Sequence, residues 1–159
     1  MPPFPALLIP ADVLAGVVAH ARADAPAECC GLLAGTPDGR VALRLPVRND
    51  LASPTEYLTN ARDLLAALRA VRAAGAEVLA IYHSHPAWPA VPSAKDVAGN
   101  TWGEAVIHLI VGLAGPEPDV QAWHIGAGTP TPATWAVVPA VGAIDTFAYA
   151  PGGRADQDG

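Results

Sequence analysis

Apolar residues recur along this chain in two different periods, and the switches between them predict the order of its elements. From Asp12 to Ala23 they fall at Val13, Leu14, Val17, Val18 and Ala21, the spacing of one helical face, and the pattern stops before Pro26. Cys29 to Ala34 and Arg40 to Val47 read as strands joined by Thr36-Pro37-Asp38-Gly39, a sequence suited to a hairpin turn. Thr55 to Thr59 predicts a short strand. Asn60 has the chemistry of an N-cap for a helix through Ala74, with Leu64, Leu65, Leu68 and Val71 on one face and Gly75 as its stop. Further strands are predicted at Glu77 to His83, Val106 to Leu113, Val120 to Ile125 and Thr134 to Val138. The mixture predicts an α/β fold, with residues 1–150 as one domain and residues 151–159 as a polar, frayed tail.

Composition agrees with one small enzyme-sized unit. At 159 residues and 52% hydrophobic, the chain can bury a sizeable core without a second domain. Its formal charge of -6, from 9 basic and 15 acidic residues with no basic run, excludes the basic stripe of a nucleic-acid surface. The N-terminus lacks the charged and apolar regions of a signal peptide. Pro and Gly interrupt every apolar stretch long enough to suggest a membrane span. The two cysteines, Cys29 and Cys30, are adjacent, with Cα atoms about 3.8 Å apart against the roughly 4.4–6.8 Å of ordinary disulfides. They are expected as free thiols, which suits a cytoplasmic location. Cys29 and Cys30 read as small buried residues, although a strand would put Cys30 on the same face as Glu28. No pattern in the chain specifies an oligomeric state.

The chemistry is concentrated at His83-Ser84-His85-Pro86 and at Ser93-Ala94-Lys95-Asp96, six residues further on. Residues i and i+2 of a strand share a face, so His83 and His85 can converge on one ion while Ser84 points away. Pro86 ends the strand because it has no N–H for the ladder. Ser93 reads as an N-cap, which puts Asp96 in the first helical turn, aimed back at the strand end. Two imidazoles, a carboxylate and an open position form the ligand pattern of catalytic zinc. Taken separately, the parts have plainer readings: a pair of satisfied histidines, a Ser-x-x-Asp capping box, and, at Glu28, an ordinary solvated acid. A helix-start carboxylate can cap and ligate at once through different oxygens.

Glu28 followed at a distance by HSHP-x6-SxxD resembles the JAMM/MPN+ family of zinc metalloproteases at every motif position, and the likeness runs from about Leu7 through Ile125, including Val47-Arg48-Asn49. The resemblance implies a JAMM/MPN fold, a mixed curved β-sheet flanked by helices with cytidine-deaminase-like layering. It implies one catalytic Zn2+ held by His83, His85 and Asp96, with Glu28 as general base and Ser93 assisting at the oxyanion. It also implies hydrolysis of a peptide or isopeptide bond, often after the Gly-Gly tail of a ubiquitin-like protein. The short connection after Asp96 favours a prokaryotic substrate, a ubiquitin-like or sulfur-carrier protein, including release of a C-terminal amino-acid adduct from it, and the sequence does not choose between isopeptide and adduct; Pro54 to Thr59 offers a strand edge for its tail.

Other classes fare differently. A cytidine deaminase needs His-x-Glu with Pro-Cys-x-x-Cys, a spacing that adjacent cysteines cannot supply. A two-His-one-carboxylate iron oxygenase would use similar ligands. A non-catalytic MPN-type scaffold predicts missing ligands, and none is missing here. Of the remaining histidines, His20 reads as solvated, and His108 and His124 as hydrogen-bonded strand residues. Trp88 either walls a substrate channel or packs its loop onto the sheet.

Overall fold

The computed structural model describes residues 4–140, so the expected boundary at residue 150 and the tail lie outside the described residues. The elements run β1 (Leu7–Pro10), α1 (Ala11–Asp24), β2 (Cys30–Gly35), β3 (Val41–Val47), α2 (Ala61–Ala73), β4 (Glu77–His85), α3 (Ala94–Ala98), β5 (Ile107–Gly112), β6 (Asp119–His124), β7 (Thr131–Pro132) and β8 (Trp135–Val138). Six strands form one mixed sheet in the order β3-β2-β4-β5-β6-β7, in which β4 and β5 run parallel and the other neighbours antiparallel. β1 and β8 pair in parallel as a separate two-stranded sheet.

The central strands are apolar nearly throughout because both their faces are covered. On one side, Val13, Val17 and Ala21 of α1 pack with Leu33, Tyr82 and Leu109. On the other, Ala67 and Val71 of α2 pack with Leu32, Leu45 and Ile81. Leu32 and Leu33 thus serve opposite cores, as the alternation of a strand requires. A bulge in the pairing, with Leu33 opposite Ala80 and Ala34 opposite Val78, absorbs Leu79. No helix among the described residues is long and apolar enough to cross a membrane.

Four expectations need correction. Thr55 to Thr59 is not a strand; among the described residues it contributes one isolated bridge, Asn49 with Thr59. The Asn49 side chain instead bonds the backbone there, donating to the Glu56 carbonyl at 3.0 Å and accepting from Leu58 N–H at 2.9 Å, which takes the place of a ladder. β1 was not foreseen. On α2, Leu65 and Leu68 face outward, 50% and 37% exposed, while Asp63, Ala67 and Val71 face the sheet. Arg48 fixes that rotation, because its backbone N–H and guanidinium donate to the Asp63 carboxylate at 2.9–3.2 Å. Finally, His20 is not solvated: its Nδ1 lies 2.7 Å from the buried Tyr82 hydroxyl and its Nε2 3.2 Å from Asp24.

Candidate metal centre

The site lies at the carboxyl end of β4, where the parallel strand β5 ends beside it and Gly112 pairs with His85. His83 and His85 share one face of β4. Ser84, on the other, accepts a hydrogen bond from Cys29 N–H at 2.8 Å, and its own N–H donates to the Cys29 carbonyl at 3.2 Å. These two bonds continue the register that puts Cys30 opposite His83, so Glu28 comes to lie opposite His85. A pairing rule alone therefore brings the carboxylate to the imidazoles. Cys30 shares their face but turns its thiol to the Val47 carbonyl at 3.3 Å, and both cysteines are free and buried. Burial pushes the Cys29 thiol up to about 12.

Beyond β4 the chain turns through Ala87 to Pro92 and begins α3. Ser93 caps that helix, accepting from Asp96 N–H at 3.1 Å, while Asp96 Oδ2 accepts from Ser93 N–H at 2.8 Å. The same oxygen, not the other one, lies 3.1 Å from His85 Nε2 and 3.3 Å from His83 Nε2, so capping and convergence fall on one atom. The two Nε2 atoms are 3.1 Å apart. Donors bonded tetrahedrally to one ion at about 2.0–2.1 Å lie about 3.3 Å from each other, so this triangle fits a metal of that size. A carboxylate oxygen of Glu28 lies within 4.8 Å of both imidazoles.

The groups around the triangle set its protonation. His85 Nδ1 lies 2.7 Å from the Pro89 carbonyl, an acceptor, which fixes a proton there and turns Nε2 to the centre, where it donates to Asp96 when protonated and presents a lone pair to an ion once that proton is lost. Pro89 is held because its loop sits on Gly112, where an added Cβ would come within 2.9 Å of Ala90 N, and because Trp123 donates to the Ala90 carbonyl at 2.8 Å. His83 is wholly buried and stacked on Tyr57, ring centroids 4.7 Å apart; desolvation lowers its pKa and keeps it neutral, the form that binds a metal. For Asp96, burial acts upward, but the hydrogen bonds of His83 and His85 outweigh it and hold the carboxyl far below the usual range. Glu28 moves the other way. Burial raises its pKa to about 7, against a smaller lowering by His85. Its Oε1 and His83 Nδ1 are buried with no hydrogen-bond partner among the described residues.

The structure thus gathers His83, His85, Asp96, Glu28 and Ser93 at one place. His108 stays apart, 3.1 Å from the Asn100 side-chain oxygen. Trp88 is 57% exposed and walls a cavity of about 540 Å³ shared with Glu28, His85 and Ser93, so it does not pack its loop onto the sheet. Sequence reasoning missed Tyr57, and it gave Asn49 only as part of the Val47-Arg48-Asn49 likeness, without a role. Asn49 donates to the Glu28 carbonyl at 3.1 Å as well as to Glu56, tying the general-base candidate to the loop that carries Tyr57. No spacing in the sequence marks either residue.

Residues 10–126 match the family model for prokaryotic homologs of the JAB domain, Prok-JAB. The chain belongs to this family. It is similar to the CysO-cysteine peptidase of Mycobacterium tuberculosis, 44% identical over 127 residues that cover 79% of this chain and 86% of that one. It is also similar to the "Probable TtuB-protein conjugate cleaving protease" of Thermus thermophilus, 40% identical over 110 residues covering 69% and 72% of the two chains. Its fold resembles the solution structure of a protein from Desulfitobacterium hafniense, with a TM-score of 0.78 at 30% identity over 86% of this chain and 95% of that one. The Prok-JAB span contains every residue of the site, from Glu28 to Asp96. The JAMM/MPN+ likeness read from the motif and the mixed sheet flanked by α1 and α2 therefore lead to the same family.

Proposed function

We propose that the protein is a zinc-dependent peptidase that cleaves the bond after the Gly-Gly tail of a ubiquitin-like or sulfur-carrier protein. The observation that carries this reading is the convergence of His83 Nε2, His85 Nε2 and Asp96 Oδ2 at 3.1–3.3 Å beside a buried, unpartnered Glu28 carboxylate. In this reading His83, His85 and Asp96 hold the ion and leave a fourth position open. When bound, zinc acidifies a coordinated water and polarises a carbonyl oxygen. Glu28, with its pKa near 7, accepts the proton of the attacking water and delivers it to the departing nitrogen, while a C–O bond forms and the C–N bond breaks. The Ser93 hydroxyl, which accepts from Asp96 N–H, retains its own proton to donate to the carbonyl oxygen as charge develops there.

The relatives' names support the substrate class, since one is a CysO-cysteine peptidase and another cleaves TtuB conjugates. The short path from Asp96 to β5 supports it too, because it offers little surface for gripping folded proteins at large. Two free thiols suit a cytoplasmic setting. Metal analysis of the purified protein should find about one zinc per chain. Replacing His85 with Ala should remove that zinc and bring hydrolysis of a Gly-Gly-tailed conjugate to background. A full zinc complement in the variant refutes the ligand assignment. Turnover that requires dioxygen refutes the hydrolase in favour of an iron oxygenase.

A further inference from the structure

The two imidazoles at the centre are held in place by different means. A metal-binding imidazole carries its lone pair in the plane of the ring, so the ring must not swing about its Cβ–Cγ bond, a torsion with broad wells. The usual restraint is a hydrogen bond from the second ring nitrogen. His85 has one, since its Nδ1 lies 2.7 Å from the Pro89 carbonyl. His83 has none among the described residues, and its Nδ1 is buried. His108, which pairs with Ile81 on the same face of the sheet, does not supply it: its Nε2 lies 3.1 Å from Asn100 Oδ1 and its Nδ1 is likewise unpartnered. What His83 has instead is the ring of Tyr57, with centroids 4.7 Å apart and planes inclined by 26°. Rotation about Cβ–Cγ moves the imidazole atoms perpendicular to their own plane. A stacked ring stands in the way of that motion.

Tyr57 is in turn placed by a single side chain. Asn49 donates to the Glu56 carbonyl at 3.0 Å and accepts from the Leu58 N–H at 2.9 Å, so the backbone is gripped on both sides of Tyr57. The Asp50 N–H adds a bond to the Leu58 carbonyl at 2.8 Å. A loop without strand pairing thus presents one ring at a fixed position against His83. The electronics favour the same arrangement. An imidazole whose Nε2 binds a cation is drained of electron density, and the face of a phenol ring is its negative side. The stack is therefore stronger in the metal-bound state than in the free one, and a contact that differs between two states shifts the balance between them. We infer that Tyr57 is the positioning residue of His83, holding its ring plane for the metal in place of a hydrogen bond. This rests on the peptidase reading above for the ion and its ligands. Tyr57 acts through His83 and on no reacting atom.

The test compares Tyr57→Phe, which keeps an aromatic ring, with Tyr57→Leu, which keeps apolar bulk and loses the ring. Zinc release into excess chelator should be about 10- to 100-fold faster from Tyr57→Leu than from the wild type, the range for losing an outer partner of a metal ligand. Tyr57→Phe should stay close to the wild type. Release at the wild-type rate by Tyr57→Leu overturns the inference, as does a Tyr57→Phe protein that loses zinc as fast as Tyr57→Leu. Melting temperatures in zinc and in chelator separate this role from plain packing. A lost packing contact lowers both temperatures alike, whereas a lost positioning contact narrows the gap between them, because the gap reports metal affinity. An unchanged gap in Tyr57→Leu therefore also overturns the inference. A wild-type protein that takes up no zinc would sink the ligand assignment of the peptidase reading and this inference with it. Zinc retention that depends on the Tyr57 ring, with no hydrolysis of a Gly-Gly-tailed conjugate, would sink the peptidase reading alone and leave Tyr57 in its role.

Discussion

Tyr82 and His83 are neighbours on β4, yet they face opposite ways into two buried polar clusters built on different terms. On the α1 side, the Tyr82 hydroxyl meets His20 Nδ1 at 2.7 Å and the Arg44 guanidinium at 3.4 Å, and His20 Nε2 reaches Asp24 at 3.2 Å. Gly31 makes room for the ring, since a Cβ there would lie 2.4 Å from it. Among the described residues, no buried side-chain polar atom of that cluster lacks a partner. On the α2 side, His83 Nδ1 and Glu28 Oε1 have none among the described residues, and three more donors crowd one point. Buried polar atoms are almost always paired, because an unpaired one costs about 1–3 kcal/mol. The closed cluster fastens a helix to the sheet. The open one holds unmet valence where a substrate and an ion would arrive.

If this distinction is right, substitutions on the open side should damage turnover and those on the closed side stability. Beyond the loss of metal in His85→Ala, the largest effect belongs to Glu28→Gln. It should retain zinc and lose about 10²- to 10⁴-fold in turnover, the usual range for a general base. The same variant carries a pH signature in chelator. The raised pKa of Glu28, about 7, means that the folded state holds a proton that the unfolded chain releases near 4.5. Wild-type stability should therefore fall as pH rises across that window, and Glu28→Gln should flatten the fall. Parallel wild-type and variant curves in chelator, or zinc lost on substitution, would move Glu28 out of this role.

Ser93→Ala comes next and touches both functions of one hydroxyl. As a cap its loss should lower stability by about 0.5–2 kcal/mol. As a donor to the developing oxyanion its loss should slow single-turnover hydrolysis by about 10²- to 10³-fold with zinc retained. A lowered melting temperature with unchanged turnover would leave the cap as its whole contribution.

Much of the open site was legible because it is made of local rules. The two-residue period of a strand put His83 and His85 on one face, and the N-cap chemistry of Ser93 placed Asp96. Glu28 joined them only through the family resemblance, because the β2–β4 register that sets it opposite His85 is a long-range pairing. What escaped the sequence depends on distant partners. β1 pairs Leu7 with Trp135 at the other end of the described chain, and four residues next to prolines give no period to read. The outward turn of Leu65 and Leu68 follows from the grip of Arg48 on Asp63, which no helical wheel contains. His20 escaped solvent because a tyrosine 62 residues away supplies its hydrogen bond. Tyr57 and Asn49 act through a loop whose shape is set by side-chain to backbone bonds, where neither helical nor strand period applies.

The smallest effect on catalysis, and the sharpest check on the comparison, is Tyr82→Phe. Removing the hydroxyl leaves His20 Nδ1 and the Arg44 guanidinium without their shared partner while the ring stays packed over Gly31. The loss should be about 1–3 kcal/mol, the penalty for a stranded buried group, partly offset because the His20 side chain is 16% exposed and can take up water. For a domain of this length that corresponds to a fall in melting temperature of about 2–4 °C per kcal/mol. Zinc content and kcat should stay near wild type, since Tyr82 touches nothing on the His83 face. If kcat falls together with stability, the two faces of β4 are coupled, and the Tyr82 cluster sets the position of His83.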